Sequence, residues 1–200
     1  MSNIILCWDT ETTGIPSSKK ALTDPAQPHL VSCSALQAVM PTGRIQQSMS
    51  KLVEPKGWEW PADHPAAQIH GLTVEECTAY GDDEKSVLDE FLHLWFAGES
   101  PAILVAHNLK FDRDIIAIAL ARYYPGEATL LKTWQDSPGV CTMQENKERV
   151  DARNVKGGKK LPNLKETYRH FTGEDLERHH SANADAVAVY QIYMHMLVED

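Results

Sequence analysis

Asp9 and Glu11 stand two residues apart at the end of the apolar run Ile4-Ile5-Leu6-Cys7-Trp8, and a glycine follows at Gly14. In an extended strand, residues i and i+2 point to the same face, so the two carboxylates project together. Like charges that close raise each other's pKa unless a cation lies between them. Hard divalent cations take carboxylate oxygens, which makes a metal the economical partner for the pair. Taken alone, two solvated acids at a polar strand end would be the simpler account. The reading therefore turns on whether other parts of the chain bring further ligands.

Two further places qualify. The segment His107-Asn108-Leu109-Lys110-Phe111-Asp112 passes from a short apolar strand into a helix. Ligands gather at the carboxyl ends of strands in α/β sheets, so Asp112 faces Asp9 and Glu11 if the two strands are neighbours. Otherwise it is a first-turn acid favoured by the helix dipole. The segment His179-His180-Ser181-Ala182-Asn183-Ala184-Asp185 opens a terminal helix. Ser181 can cap it, and Asp185 falls on the stripe shared with Val189 and Ile192, where an acid is costly unless paired or metal-bound. His180 hangs just before the helix, with His179 as its competitor.

Together, four carboxylates and a histidine suggest one chemistry. Two divalent ions about 3.5–4 Å apart need such an acid cluster, and they serve in-line displacement at phosphorus. A histidine titrating near neutral pH would be the general base that takes a proton from the attacking water.

The elements that must position these groups follow from patterning. Residues 3–9 read as a strand buried on both faces, 31–40 as a second strand, and 44–53 as a third with loose alternation at Ile45, Met49 and Val53. Short turns between them suggest an antiparallel meander. Residues 16–28, with three prolines, read as a loop, and 54–71 as a long loop rich in proline and tryptophan. An amphipathic helix is expected over 82–96, with Val87, Leu88, Phe91, Leu92 and Trp95 on one face. A strand at 102–106, a helix at 107–124, a last strand at 130–134, a short helix within 143–151 and helices at 163–172 and 181–198 complete the order. This is an α/β pattern with a mixed sheet, and 1–200 is expected to form a single domain.

Two hundred residues suffice for a sizeable core. No apolar run approaches the roughly 20 residues of a membrane helix, and the N-terminus lacks the charged region and cleavage site of a signal peptide. The cysteines at 7, 33, 77 and 141 show no C-x-x-C spacing, and Cys7 and Cys33 lie in apolar runs. The expectation is a cytoplasmic chain without disulfides, zinc or a membrane partner. A net charge of −9 argues against non-specific, charge-driven nucleic-acid binding. It leaves room for an enzyme that holds nucleic acid through bound metals.

At these residues the chain resembles the DnaQ-like 3′→5′ exonucleases of the DEDDh type, in the ribonuclease H-like superfamily. The first motif is Asp9-x-Glu11 within Asp9-Thr10-Glu11-Thr12-Thr13-Gly14. The second is His107-Asn108-x-x-Phe111-Asp112, and the third is His180-x4-Asp185, whose histidine spacing separates this branch from the tyrosine-bearing one. Ile69-His70-Gly71-Leu72-Thr73 matches a segment that touches the terminal nucleotide in the family. The motifs stand in order and span nearly the whole chain.

The resemblance implies a five-stranded mixed sheet flanked by helices, its first three strands an antiparallel meander. It implies removal of nucleoside 5′-monophosphates from single-stranded 3′ ends with two Mg²⁺ or Mn²⁺ ions. By the same resemblance, Asp9, Glu11 and Asp185 hold one ion, Asp9 bridges to a second, and Asp112 supports that second ion through water. The H-x4-D spacing makes His180 the base and leaves His179 flanking. Thr12 and Thr13, through their backbone, and Leu72, His107 and Asn108 are the expected substrate contacts, with Leu72 as an apolar wedge and His70 structural.

Trp58 and Trp60 either stack bases or pack the loop down. Residues 145–160 hold six basic side chains against three acids around Gly157-Gly158, either a flap over the substrate backbone or a solvated loop. DNA is the expected substrate, in proofreading or repair and with a polymerase or replication partner. RNA trimming is the alternative, followed by a non-catalytic binding module. A nuclease of unrelated fold would lack antiparallel strands over 31–53.

Overall fold

The computed structural model describes residues 3–58, 60, 65–96, 100–177 and 181–199. Three strands, β1 (Ile4–Thr12), β2 (Leu30–Val39) and β3 (Arg44–Leu52), form the expected antiparallel meander, with a loop over 13–29 between the first two and a short turn between the last two. After β3 come α1 (Pro65–His70), α2 (Val74–Tyr80) and α3 (Glu84–Trp95), then β4 (Ile103–Ala106) and α4 (Leu109–Tyr123). The chain closes with α5 (Ala128–Asp136), β5 (Gly139–Cys141), α6 (Thr142–Glu145), α7 (Leu164–Thr172) and α8 (Ala182–Glu199). β4 and β5 add in parallel beside β1, giving the sheet order β3-β2-β1-β4-β5. This is a five-stranded mixed sheet with helices on both faces.

β1 lies at the centre, and Ile5, Leu6, Cys7 and Trp8 are buried on both of its faces, as a strand covered by helices on each side must be. Leu6 and Trp8 face α3 and α4 in the larger core. There Trp8, Phe91, Trp95 and Trp134 meet in tilted and edge-on pairs with centroids 4.9–5.7 Å apart, the geometry aromatic quadrupoles prefer. Ile5 and Cys7 face the other way, against Val189 of α8. That alternation continues toward Asp9 and Glu11 and sends both acids to the α8 side.

The expected last strand at 130–134 is instead helix α5, and the fifth strand is Gly139–Cys141. Leu130, Leu131 and Trp134 are spaced i, i+1, i+4, a helical stripe. The buried Trp134 anchors it, its indole N–H donating to the Arg113 carbonyl at 3.0 Å. A three-residue strand carries too few side chains to announce itself. The 54–71 loop contains α1, and α2 follows it behind a capping box, Thr73 with Glu76. Among the described residues, no helix is long and apolar enough to cross a membrane.

One buried acid locks the start of β2 to the helices. Glu84, 2% exposed, accepts from Leu30 N–H at 2.9 Å, Arg122 at 3.2 Å and the Tyr123 hydroxyl at 2.7 Å, and it pairs with His29 Nδ1 at 2.6 Å. Removing one partner of a buried charged network leaves the others unsatisfied. Glu84→Ala is therefore expected to cost about 3 kcal/mol in urea unfolding, whereas a loss below about 0.5 kcal/mol would contradict this role.

Candidate active site

Asp9 and Glu11, two residues apart, and the distant Asp185 meet at the carboxyl end of β1. β1 continues to Thr12, so Asp9 and Glu11 both lie within the strand, paired opposite Ser34 and Ser32 of β2. α8 packs across β1 and β2, and Asp185 sits in its first turn on the buried stripe with Val189 and Ile192. Ligand oxygens of Asp9, Glu11 and Asp185 all lie within 4.8 Å of one another. A hard cation with oxygen ligands at about 2.0–2.6 Å spans roughly twice that between opposite ligands, so the group has the size of one cation site.

Asp112 arrives from the first turn of α4 and is 3% exposed. Its Oδ1 accepts from the Thr10 hydroxyl at 2.8 Å and the Thr10 N–H at 3.2 Å. Thr10 follows Trp8 on the opposite face of β1 from Asp9 and Glu11, so Asp112 is held beside the three-acid group and not within it.

The electrostatics agree with the geometry. Burial, then the charges of Asp112, Glu11 and Asp185, holds the Asp9 carboxyl well above the usual carboxylate range. Burial, then Asp185 and Asp112, pushes Glu11 up to about 8. Burial pushes Asp112 up to about 7 although both bonds from Thr10 favour its ionised form. Oxygen-only donors of this charge suit a hard divalent ion. Asp9, Glu11 and Asp185 fit such an ion, with Asp112 one step behind them.

Other candidates divide. His180 and His179 lie outside the described residues. His107 donates Nε2–H to the Pro162 carbonyl at 3.1 Å, so its Nδ1 accepts from the Thr142 hydroxyl at 3.0 Å. Burial pushes this neutral ring down to about 4. Both ring nitrogens thus tie β4 to α6 and to the turn before α7. Asn108 is exposed and adopts the left-handed conformation, φ 64° and ψ 45°, which asparagine tolerates better than most residues; this turn aims α4 and Asp112.

Thr12 donates its hydroxyl to the Gly14 carbonyl at 2.7 Å, and Thr13 Oγ1 accepts from His29 N–H at 3.0 Å. Both side chains therefore shape the turn. Leu72, half-buried, packs against the cluster of Val31, Trp60 and Cys77. His70 is 8% exposed and its Nδ1 accepts from Leu72 N–H at 3.0 Å, a structural placement. Trp60, 6% exposed, packs the loop down. In the 145–160 segment, Lys159, Arg153 and Lys160 bond Glu148, Asp151 and Glu166.

A cavity of about 500 Å³ opens beside Glu11, walled by Thr10, Thr12, Ile15, Ile69 and Phe111 among others. Ile15 is 83% exposed and Ile69 57%. Ile69 opens the motif segment 69–73, whereas Ile15 was not marked, although an isoleucine directly after the Gly14 turn is the kind of exposed apolar residue that contacts a ligand.

No protein-family model and no curated protein matches the chain. Solved structures do. E. coli exonuclease I in complex with a dA16 oligonucleotide superimposes with a TM-score of 0.74 at 17% identity, over 99% of this chain and 41% of that one. The zinc-bound E. coli exonuclease I–single-stranded DNA complex gives 0.75 at 17% identity, over 100% and 41%. A product-bound exonuclease I gives 0.71 at 18%, over 100% and 44%. The chain thus spans about two-fifths of the length of these proteins. What it shares with exonuclease I is the ribonuclease H-like fold, the same fold that its acidic motifs resemble.

Proposed function

We propose that this chain is a metal-dependent 3′→5′ exonuclease domain, residues 1–200, that removes nucleoside 5′-monophosphates from single-stranded DNA. The observation that carries the reading is the convergence of Asp9, Glu11 and Asp185 within 4.8 Å, with Asp112 alongside. The oligonucleotide complexes of the E. coli proteins that share its fold support DNA as the substrate.

In this reading Asp9, Glu11 and Asp185 hold one divalent cation, Mg²⁺ or Mn²⁺, and Asp9 with Asp112 serves a second. Bound there, the cations supply positive charge against the phosphoryl oxygens and favour ionisation of water. Thr10 fixes Asp112 in place through two hydrogen bonds. His180, five residues ahead of Asp185, takes the proton of the attacking water at its ring nitrogen. The apolar cavity of Ile15, Ile69 and Phe111 beside Glu11 receives the 3′-terminal nucleoside and leaves its phosphate at the acids.

Matched DNA and RNA strands labelled at either end, incubated with Mg²⁺, Mn²⁺ or EDTA, test this. A 3′ label should be released at once as a mononucleotide, a 5′ label should persist on shortening strands, and EDTA should stop both. Hydrolysis that survives EDTA, or that begins at the 5′ end, would refute the reading; faster hydrolysis of RNA would overturn the substrate.

A further inference from the structure

A second cavity, of about 660 Å³, meets the first at Gly14 and Ile15. Its walls include Thr13, Thr23, Gln27, His29, Trp58 and Arg122. The cavity is built, not incidental. Gln27, 3% exposed, donates its side-chain N–H groups to the carbonyls of Ser17 at 2.9 Å and Ala21 at 3.2 Å, and accepts from Ser17 N–H at 3.0 Å. These bonds fold the 17–27 loop into one wall. His29 and Trp58 also line the cavity, their rings parallel, 4.4 Å between centroids and 9° between planes.

The rest of the chemistry selects the ligand. Arg122 lines the cavity, but its terminal nitrogens are committed to Glu84 at 3.2 Å and to the carbonyls of Gln27 and Pro28 at 3.2 and 3.1 Å. It braces the wall and offers little to a phosphate. His29 Nδ1 is taken by Glu84 at 2.6 Å, which fixes the ring and leaves Nε2 as its remaining polar atom. A flat aromatic wall whose polar ring atoms are His29 Nε2 and the buried Trp58 Nε1 suits a planar heteroaromatic ring. Thr13 also pairs with His29 through the backbone at 3.0 Å, so this wall is continuous with the strand that carries Glu11.

We propose that this cavity holds the base of the penultimate nucleotide, stacked as a third ring on the His29–Trp58 pair. The inference rests on the exonuclease reading for the polarity of the strand: a terminal nucleoside beside Glu11 places its 5′ neighbour at the adjoining cavity.

The test is equilibrium binding of short 5′-labelled DNA strands in EDTA, measured by fluorescence anisotropy. The strands are natural, abasic at the penultimate position, or abasic at the 3′ end. Stacking of one base is worth roughly 5- to 150-fold, and the wild-type chain should lose that factor at the penultimate abasic site. Trp58→Ala should bring the penultimate penalty to about one. Because Trp58 also packs against the core, Thr23→Trp, at an exposed loop position, provides a variant that fills the cavity and removes no core contact. It too should erase the penultimate penalty and keep the terminal one. No penultimate penalty in the wild type, or an undiminished one in Thr23→Trp, would overturn the proposal. Absence of cleavage in Mg²⁺ would instead count against the exonuclease reading, and the binding ratios would still decide the cavity's ligand.

Discussion

Asp9→Asn is expected to abolish hydrolysis, by on the order of 10³-fold or more, and at the same time to make the metal-free protein more stable. The two effects have one cause. Asp9 lies among three other carboxylates, and burial with their charges holds its carboxyl well above the ordinary range. The folded chain therefore carries a repulsion that a cation offsets. Asparagine removes one charge of the cluster together with the ligand. For a chain of this size each kcal/mol is worth about 2–4 °C in Tm, so a rise on that scale is expected in EDTA at pH 8. An inactive variant no more stable than the wild type would contradict the like-charge account.

The same shifts fix the sign of the pH dependence. Asp9, Glu11 and Asp112 all have folded pKa values above their unfolded ones, with Glu11 at about 8 and Asp112 at about 7. Between about 4 and about 8 these three carboxyls bind more protons in the folded chain, outweighing the single proton that His107, lowered to about 4, gives up below about 6.5, so stability falls as pH rises. In EDTA, Tm should decline across that window. The decline should be shallower in Asp9→Asn, and Mg²⁺ should reduce it by binding the folded form alone.

His180→Ala is the second large effect. Loss of a general base costs roughly 10²–10⁴-fold, and because a proton acceptor is not a ligand, Mn²⁺ affinity measured by calorimetry should stay near the wild-type value. His179→Ala should lose far less activity. A large loss in His179→Ala with little in His180→Ala would overturn the assignment by H-x4-D spacing. Loss of Mn²⁺ affinity in His180→Ala would make His180 a ligand instead.

Much of the fold was readable because its signals are local. The turn between β2 and β3 and the alternation at Met49 and Val53 announce the meander, and the stripe of Val87, Leu88, Phe91 and Trp95 announces α3. The signals failed where an element was short or where two periods overlapped. Leu130, Leu131 and Trp134 suit either a buried strand or a helix until Trp134 is seen locked against Trp8 and Trp95. β5, with three residues, is defined by its pairing to β4 and hardly by its own side chains. Type and spacing also cannot tell which hydrogen bonds a side chain has already made. His107, Thr12 and Thr13 have spent theirs inside the fold.

The sequence by itself determined which side chains could share a charge problem. A strand's period of two puts Asp9 and Glu11 on one face whatever surrounds them. Equally local, a helix stripe through Val189 and Ile192 carries Asp185 inward. Only the tertiary structure decided that these places are one place. α8 crosses β1 on the Cys7 face, while Asp112, 102 residues from Thr10, is pinned to the other. Packing across such separations depends on how two sheet faces are covered, and no local period encodes that.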